Sequence, residues 1–478
     1  MSRASTAVFA AWRTAWAYAD ATATTRATAA TWREHRELRL RQLLLAAARG
    51  SALYRERLAA AGEQGSASEV LQRLRPVHKR ELMHRFAEWV TDPVLTLSVL
   101  RDFVHDRANR GQAFRDRYLV WESSGSSGEP ALFVQDERSL AVADALEAAR
   151  GPAALDAASP WPWLAAAPRA ERIALVAATD GHFATVVSFE RARGLNPWLA
   201  ASSHGFSFLQ PLEQLAEQLD AFAPSVLATY PSMARVLCEA QRHGRLHIAP
   251  RAVWTGGETL TPALRRTIGE GFGATDVRDS YGASECFLIA SECRSGRLHL
   301  NADWVILEPV DERARPVPDG SFGATTLLTN LANEVQPIIR YDLGDRVRIV
   351  PGACDCGSSL PAIEVQGRAG DVLTLRDARG HAVHLSPLAL TTVLEDEAGL
   401  FDFQLRQSSP RRLELELYGG GTGDGEARAA AVRAGTVLRR FLGQRGLGAT
   451  RVQCHNRPQA ATRGRSGKQE RVVCAHPA

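Results

Sequence analysis

The sequence predicts an α/β protein in two unequal parts: a large N-terminal unit, with an α/β core and a β-rich subdomain, and a small C-terminal α+β domain. Three observations predict it. At 478 residues and 45% hydrophobic content, the chain is too long for one ordinary domain and apolar enough to bury several cores. From about Tyr118 to Tyr281, short apolar runs alternate with longer helix-like segments, the pattern of a largely parallel sheet. After Gly367 the pattern resets, and Leu413-Glu414-Leu415-Glu416-Leu417 alternates strictly with the period of a strand.

Residues 1–110 read as helical. Trp12, Trp16 and Tyr18, then Leu38, Leu40, Leu43 and Leu44, give apolar faces at roughly helical spacing. The stretch from Met1 to Arg33 is rich in Ala, Thr and Arg and poor in acids, which superficially matches an organellar transit peptide. A pair of N-terminal helices is the reading adopted here. Residues 111–366 form the expected core. Ile173–Val176 and Ser225–Ala228 are buried strands, with helices at Leu212–Phe222 and Pro262–Gly271. Strands dominate between Trp304 and Val350, with turns at Pro318-Asp319-Gly320 and Leu343-Gly344-Asp345. Residues 367–478 form the third segment: a strand at Asp371–Leu375, a helix at Pro387–Glu395, strands at Phe401–Arg406 and Leu413–Leu417, a helix near Glu426–Leu442 and a last strand at Arg451–His455. That order, β-α-β-β-α-β, predicts a ferredoxin-like domain.

The net charge of +4 is small, and the arginines are scattered, which argues against nucleic acid as a partner. No window approaches eighteen uninterrupted apolar residues, so no membrane span is expected. Seven cysteines without a secretory signal point to a reducing, cytoplasmic compartment.

Ser123-Ser124-Gly125-Ser126-Ser127-Gly128-Glu129-Pro130 follows the strand-like Tyr118–Trp121. Hydroxyls and glycines in such a run let backbone N–H groups converge on oxyanions. Further along come Trp254-Thr255-Gly256-Gly257-Glu258, Ser280-Tyr281-Gly282-Ala283-Ser284-Glu285, Arg340-Tyr341-Asp342-Leu343-Gly344-Asp345, Gly367-Arg368-Ala369-Gly370-Asp371 and Gly464-Arg465-Ser466-Gly467-Lys468. These six segments, in this order, resemble the signatures of the adenylate-forming superfamily. Pro76-Val77-His78-Lys79, Pro337-Ile338-Ile339-Arg340-Tyr341 and Cys354-Asp355-Cys356-Gly357 resemble the phenylacetate-CoA ligase and coenzyme F390 synthetase-like branch. The resemblance spans nearly the whole chain.

It implies AMP-forming activation of a carboxylic acid with ATP and Mg²⁺ to an acyl-adenylate, with CoA as the expected acceptor. Ser123, Ser124, Gly125, Ser126, Ser127 and Gly128 would hold ATP phosphates; Gly257, Glu258, Ser280, Tyr281, Gly282 and Ser284 would flank the nucleotide; Asp345 would accept the ribose hydroxyls. Glu285 would bind Mg²⁺, Lys468 would bridge the acid and the α-phosphate, and Arg368 would lie at the domain hinge. His182, Phe183, Tyr230, Trp254 and Gly256 would line the acyl pocket, whose aromatic walls favour an aryl acid. Two departures stand out: Glu129 where the family often has lysine, and Gly370 where the hinge usually carries an acid.

Cys293-x5-His299 and Cys354-x-Cys356 offer three thiols and an imidazole, a ligand set suited to structural zinc. The alternative is ordinary buried thiols and a surface histidine. Other outcomes on the same scaffold are adenylation without a thioester, an ATP-dependent diazotase that activates nitrite for an aryl amine, and a binding module without catalysis. The implied partners are a small-molecule acid and CoA or another small acceptor, with monomer or homodimer left open.

Overall fold

The computed structural model describes residues 3–62, 64–123, 131–152, 171–179, 181–274, 276–368, 373–385, 387–400, 402–418, 424–457 and 471–474. Residues 124–130 of the Ser/Gly run, Ala369 to Asp371 of the hinge segment and the Gly464–Lys468 segment lie outside these.

The chain opens with the expected helix pair, Arg3–Arg26 and Ala29–Gly50. A hairpin of β1 (Leu119–Glu122) and β2 (Leu132–Gln135) leads into the main sheet. Its first five strands are β3 (Ile173–Ala177), β4 (Ser203–Ser207), β5 (Val226–Thr229), β6 (Ala252–Gly256) and β7 (Asp276–Tyr281), all parallel. Then come β8 (Ala290–Glu292), β9 (Leu298–Leu300), β10 (Val305–Val310), β11 (Thr325–Asn330), β12 (Ile338–Asp342), β13 (Asp345–Val350) and β14 (Ala362–Arg368). The nine-stranded sheet has the order β13-β14-β9-β8-β7-β6-β5-β3-β4, and β10-β11-β12 form a separate antiparallel sheet. Chain order therefore reverses at β3, with β4 on one side and β5 on the other. In open α/β sheets, ligands bind outside the carboxyl ends of strands at such a point.

Local chemistry explains the helices that flank this sheet. Pro262–Phe272 has Thr261 as N-cap, accepting from the Leu264 N–H at 3.2 Å, proline at its start and Gly273 beyond its end. Pro231–Arg242 also starts with proline. Both bury apolar faces, including Leu237, Leu264 and Ile268, against the parallel strands. A second core joins the N-terminal helices to β1, β2 and the β10–β12 sheet through Leu40, Leu43, Trp89 and Phe133.

The C-terminal region has its own core, from Leu373 to Val472. It differs from the ferredoxin-like expectation. Among the described residues β15 (Leu373–Arg376), at the position of the expected first strand, pairs only with β16 (Ala382–Leu385), in a hairpin of its own. The four-stranded sheet is instead β19-β18-β17-β20, from β17 (Phe403–Ser409), β18 (Arg412–Tyr418), β19 (Arg451–Arg457) and β20 (Val472–Cys474). The reason is local: a turn at Asp377–Gly380 folds β15 onto the next strand, and the position beside β17 goes to the late strand β20. In β18 the period-two pattern holds, with Leu413, Leu415 and Leu417 buried. No helix among the described residues is long and apolar enough to cross a membrane.

Candidate active site and metal centre

The candidate residues gather at the carboxyl ends of β3, β5, β6 and β7. His182 and Phe183 follow β3, Tyr230 follows β5, Gly256 ends β6 and Ser280 and Tyr281 end β7. Gly256 and Ser280 are directly paired, and a Cβ on Gly256 would meet Ser280 Oγ at 2.9 Å. Gly257 takes φ +76°, a conformation that favours glycine.

Two tyrosine–carboxylate contacts order the region beyond β7. Tyr281 donates its hydroxyl to Asp345 Oδ2 at 2.6 Å, and Tyr341 donates to Glu285 Oε1 at 2.7 Å. Each joins two motifs far apart in sequence. The turn between them is held by backbone contact: Gly282 lies so close to the Phe287 carbonyl that a Cβ would approach its oxygen to 1.9 Å. Trp121 Nε1 donates to the Ser284 carbonyl at 2.7 Å, and Asn330 donates to that of Glu285 at 3.2 Å. Tyr341, Trp121 and Asn330 were given no role from sequence; of these only Tyr341 stood within a motif.

Ser123 closes the base of the Ser/Gly segment. Its N–H donates to the Ala131 carbonyl at 2.8 Å, and its Oγ accepts from the Ala131 N–H at 2.9 Å. Ser123 and Ala131 are thus held together at the end of the β1–β2 hairpin.

Several side chains are turned elsewhere. Glu258 accepts from the Ser232 N–H and hydroxyl, both at 3.0 Å, so its carboxylate caps the helix Pro231–Arg242. Arg340 is buried, with φ +49°, and donates to Glu308 and to the Gln72 and Leu74 carbonyls. Its backbone carbonyl accepts from Val77 at 3.0 Å, which brings the Pro76-Val77-His78-Lys79 segment beside β12. His182 is buried next to Phe103, and burial lowers its imidazole pKa. Neither His182 Nε2 nor Trp254 Nε1 has a hydrogen-bond partner among the described residues, although both are buried. Tyr230 packs edge-on against Phe208, and burial raises its hydroxyl pKa. On the outer strands, Asp345 of β13 is paired in register with Arg368 at the end of β14.

The four expected metal ligands do come together. The ligand atoms of Cys293, His299, Cys354 and Cys356 lie within 4.8 Å of one another. Cys293 and Cys354 Sγ are 3.8 Å apart, and Cys356 Sγ is 3.3 Å from His299 Nε2. His299 Nδ1 lies 2.7 Å from the Leu360 carbonyl. A carbonyl only accepts, so Nδ1 carries the proton and Nε2 presents its lone pair to the sulfurs. Burial resists ionisation of Cys354, but hydrogen bonding, first from the Cys356 backbone N–H, brings its thiol down to about 6, while burial and the adjoining thiols push the Cys356 thiol up to about 11. A ligating thiol must lose its proton, so this lowering suits metal binding.

No family profile matches the chain. A phenylacetate-coenzyme A ligase from Thermus thermophilus is 30% identical over 184 residues, 36% of this chain and 39% of that protein. The match thus spans about two fifths of the relative's length. Among solved structures, 2-hydroxyisobutyryl-CoA ligase in its postadenylation state aligns with a TM-score of 0.71 at 19% identity, over 95% of this chain and 91% of that one. In its thioesterification state the same ligase aligns over the same shares at 20% identity, but with a TM-score of 0.57. The chain thus superposes better on the first of these two structures than on the second. Over about a third of its length the chain is thus similar in sequence to a phenylacetate-coenzyme A ligase, and over nearly all of it similar in fold to 2-hydroxyisobutyryl-CoA ligase.

Proposed function

We propose that this chain is an ATP-dependent, AMP-forming ligase that converts a carboxylic acid to an acyl-adenylate and passes the acyl group to CoA. The observation that carries this reading is the pair of contacts Tyr281–Asp345 and Tyr341–Glu285 beside the carboxyl ends of the parallel strands. They fix two carboxylates and an aromatic ring, and Trp121 of β1, two residues before Ser123, bonds the Ser284 carbonyl beside one of them.

The chemistry needs such an arrangement. A carboxylate attacking the α-phosphorus of ATP meets a negatively charged electrophile, so charge must be neutralised and the nucleophile aligned with the departing pyrophosphate. Backbone N–H groups and hydroxyls of residues 123–128 would take the β- and γ-phosphates. Asp345 would accept the ribose hydroxyls while Tyr281 holds its other side, and Glu285 would hold Mg²⁺, a hard cation suited to carboxylate oxygen. Lys468 would place its charge between the acid and the α-phosphate.

Phe183, Tyr230 and Trp254 would form the acyl pocket, and their flat faces support an aryl acid. The unpartnered Trp254 Nε1 and His182 Nε2 would then meet polar groups of the bound substrate. Acid-dependent exchange of pyrophosphate into ATP tests this reading. Exchange that an aryl acid supports and a short aliphatic acid does not is the expected result; no exchange with any acid contradicts it.

Zinc fits the Cys/His cluster. A tetrahedral zinc with Zn–S bonds of about 2.3 Å separates two sulfurs by about 3.8 Å and a sulfur from an imidazole nitrogen by about 3.5 Å. The cluster shows 3.8 Å and 3.3 Å for these separations. With four protein ligands the ion would be structural, tying the loop between β13 and β14 to the β8–β9 turn. Purified protein should carry about one zinc per chain, and Cys354→Ser should lower both zinc content and melting temperature. Metal-free protein with an unchanged melting temperature in that variant would exclude the site.

A further inference from the structure

The Glu395 carboxylate is fully buried, in the C-terminal helix Pro387–Ala398, yet its partners come from both sides of the domain boundary. One oxygen accepts from the hydroxyl of Thr261, the N-cap of the helix Pro262–Phe272 in the large domain. The other is paired with Arg471, which leads into β20. A second tie crosses the same boundary. Arg235, buried on the helix Pro231–Arg242, lies 3.3 Å from Asp402, the residue before β17. Thr261 also ends the loop that begins at Gly256 and Gly257, and that loop's Glu258 caps the Arg235 helix. The two ties therefore meet the large domain at the loop and helix beside the candidate pocket.

A buried carboxylate with a charged and a neutral donor is stabilised only while both stay in place. Rotating the C-terminal domain away would strip Thr261 from Glu395 and Arg235 from Asp402. The contacts thus favour one domain arrangement over others, and the superposition is better with a ligase in its postadenylation state than with the same ligase in its thioesterification state. Arg471 lies three residues after Lys468 in sequence.

We propose that Glu395 is a positioning residue: with Thr261, Arg471 and the Arg235–Asp402 pair it holds the C-terminal domain in the arrangement used for adenylation, and so sets the balance between the two half-reactions. This rests on the ligase reading for its kinetic consequence and on geometry alone for the tie itself.

The test uses the full chain with Thr261→Val, Asp402→Asn and their combination. Thr261→Ser, which keeps both the cap and the hydroxyl, is the conservative control. Amide hydrogen exchange read by mass spectrometry reports the tie without any activity. Thr261→Val should raise exchange at residues 402–406, across the boundary from the substitution, and Asp402→Asn should raise it along residues 231–242. In the double variant, pyrophosphate exchange should fall about fivefold or more, while single-turnover transfer from preformed adenylate to CoA is unchanged or faster. Thr261→Ser should match the parent in both readouts. Unchanged amide exchange across the boundary, or an equal fall in both half-reactions, would overturn the proposal. A chain that activates no acid would remove the ligase reading and leave the amide-exchange result to decide the tie.

Discussion

Lys468→Ala should lower acid-dependent pyrophosphate exchange about 10²–10³-fold while changing ATP affinity far less. Adenylation brings the acid's carboxylate against the α-phosphate, and negative charge accumulates on the phosphate oxygens as the new bond forms. A lysine ammonium placed there acts most strongly on the transition state, where that charge is greatest. On the proposed reading, binding of ATP would draw instead on many contacts, from the phosphate segment, Asp345 and a cation at Glu285. A charge that matters mainly in the transition state lowers turnover more than affinity. Equal losses in exchange and in ATP binding would assign Lys468 to ground-state binding, and an unchanged exchange rate would remove it from the reaction.

The largest expected effect on stability is Asp303→Ala. Asp303 is fully buried and takes both guanidinium donors of Arg150, at 2.7 and 3.0 Å, with Arg39 at 3.4 Å from the same carboxylate. Arg150 also donates to the Ala21 carbonyl, and Arg39 pairs with Asp20, so the cluster pins the first helix to the core. Arg39 further lies over the Trp304 ring, 3.7 Å from its centroid. Removing the carboxylate leaves two buried guanidinium groups without their shared partner, which costs about 3–5 kcal/mol. Denaturant unfolding of Asp303→Ala measures this; a loss under about 1 kcal/mol would show that the cluster relaxes freely.

The same cluster carries a pH dependence of known sign. Burial pushes the Asp303 carboxyl up, but Arg150 and then Arg39 outweigh it and hold the group below its ordinary value of 3.8. The stability it contributes is therefore present above that value and lost as pH falls through the lower folded-state value.

Much of this was legible in the sequence because the signals were local. The helix Leu212–Phe222 is bounded where its apolar spacing begins and ends, and β18 follows from its period of two. The Cys/His set came from residue type and spacing, and the structure brings all four ligands together. What the sequence left hidden was long-range pairing. Nothing near Asp345 marks Tyr281 as its partner, and nothing near Thr261 marks Glu395, because the partners lie 64 and 134 residues apart. The C-terminal sheet was misread for a related reason. Val472–Cys474 is too short to show a pattern, and only its place beside β17 makes it a strand. Glu258 is expected near the nucleotide only from the family resemblance of its segment, and nothing local marks its second partner, the helix that its carboxylate caps.

Product analysis of ATP turnover tests the central claim most directly. The protein is incubated with ATP, Mg²⁺ and a panel of aryl and aliphatic acids, with and without CoA, and AMP, pyrophosphate and thioester are measured together. The account predicts AMP and pyrophosphate in equal amounts, with a thioester that requires both CoA and an aryl acid. ADP in place of AMP, or no acid-dependent turnover under any of these conditions, would contradict it.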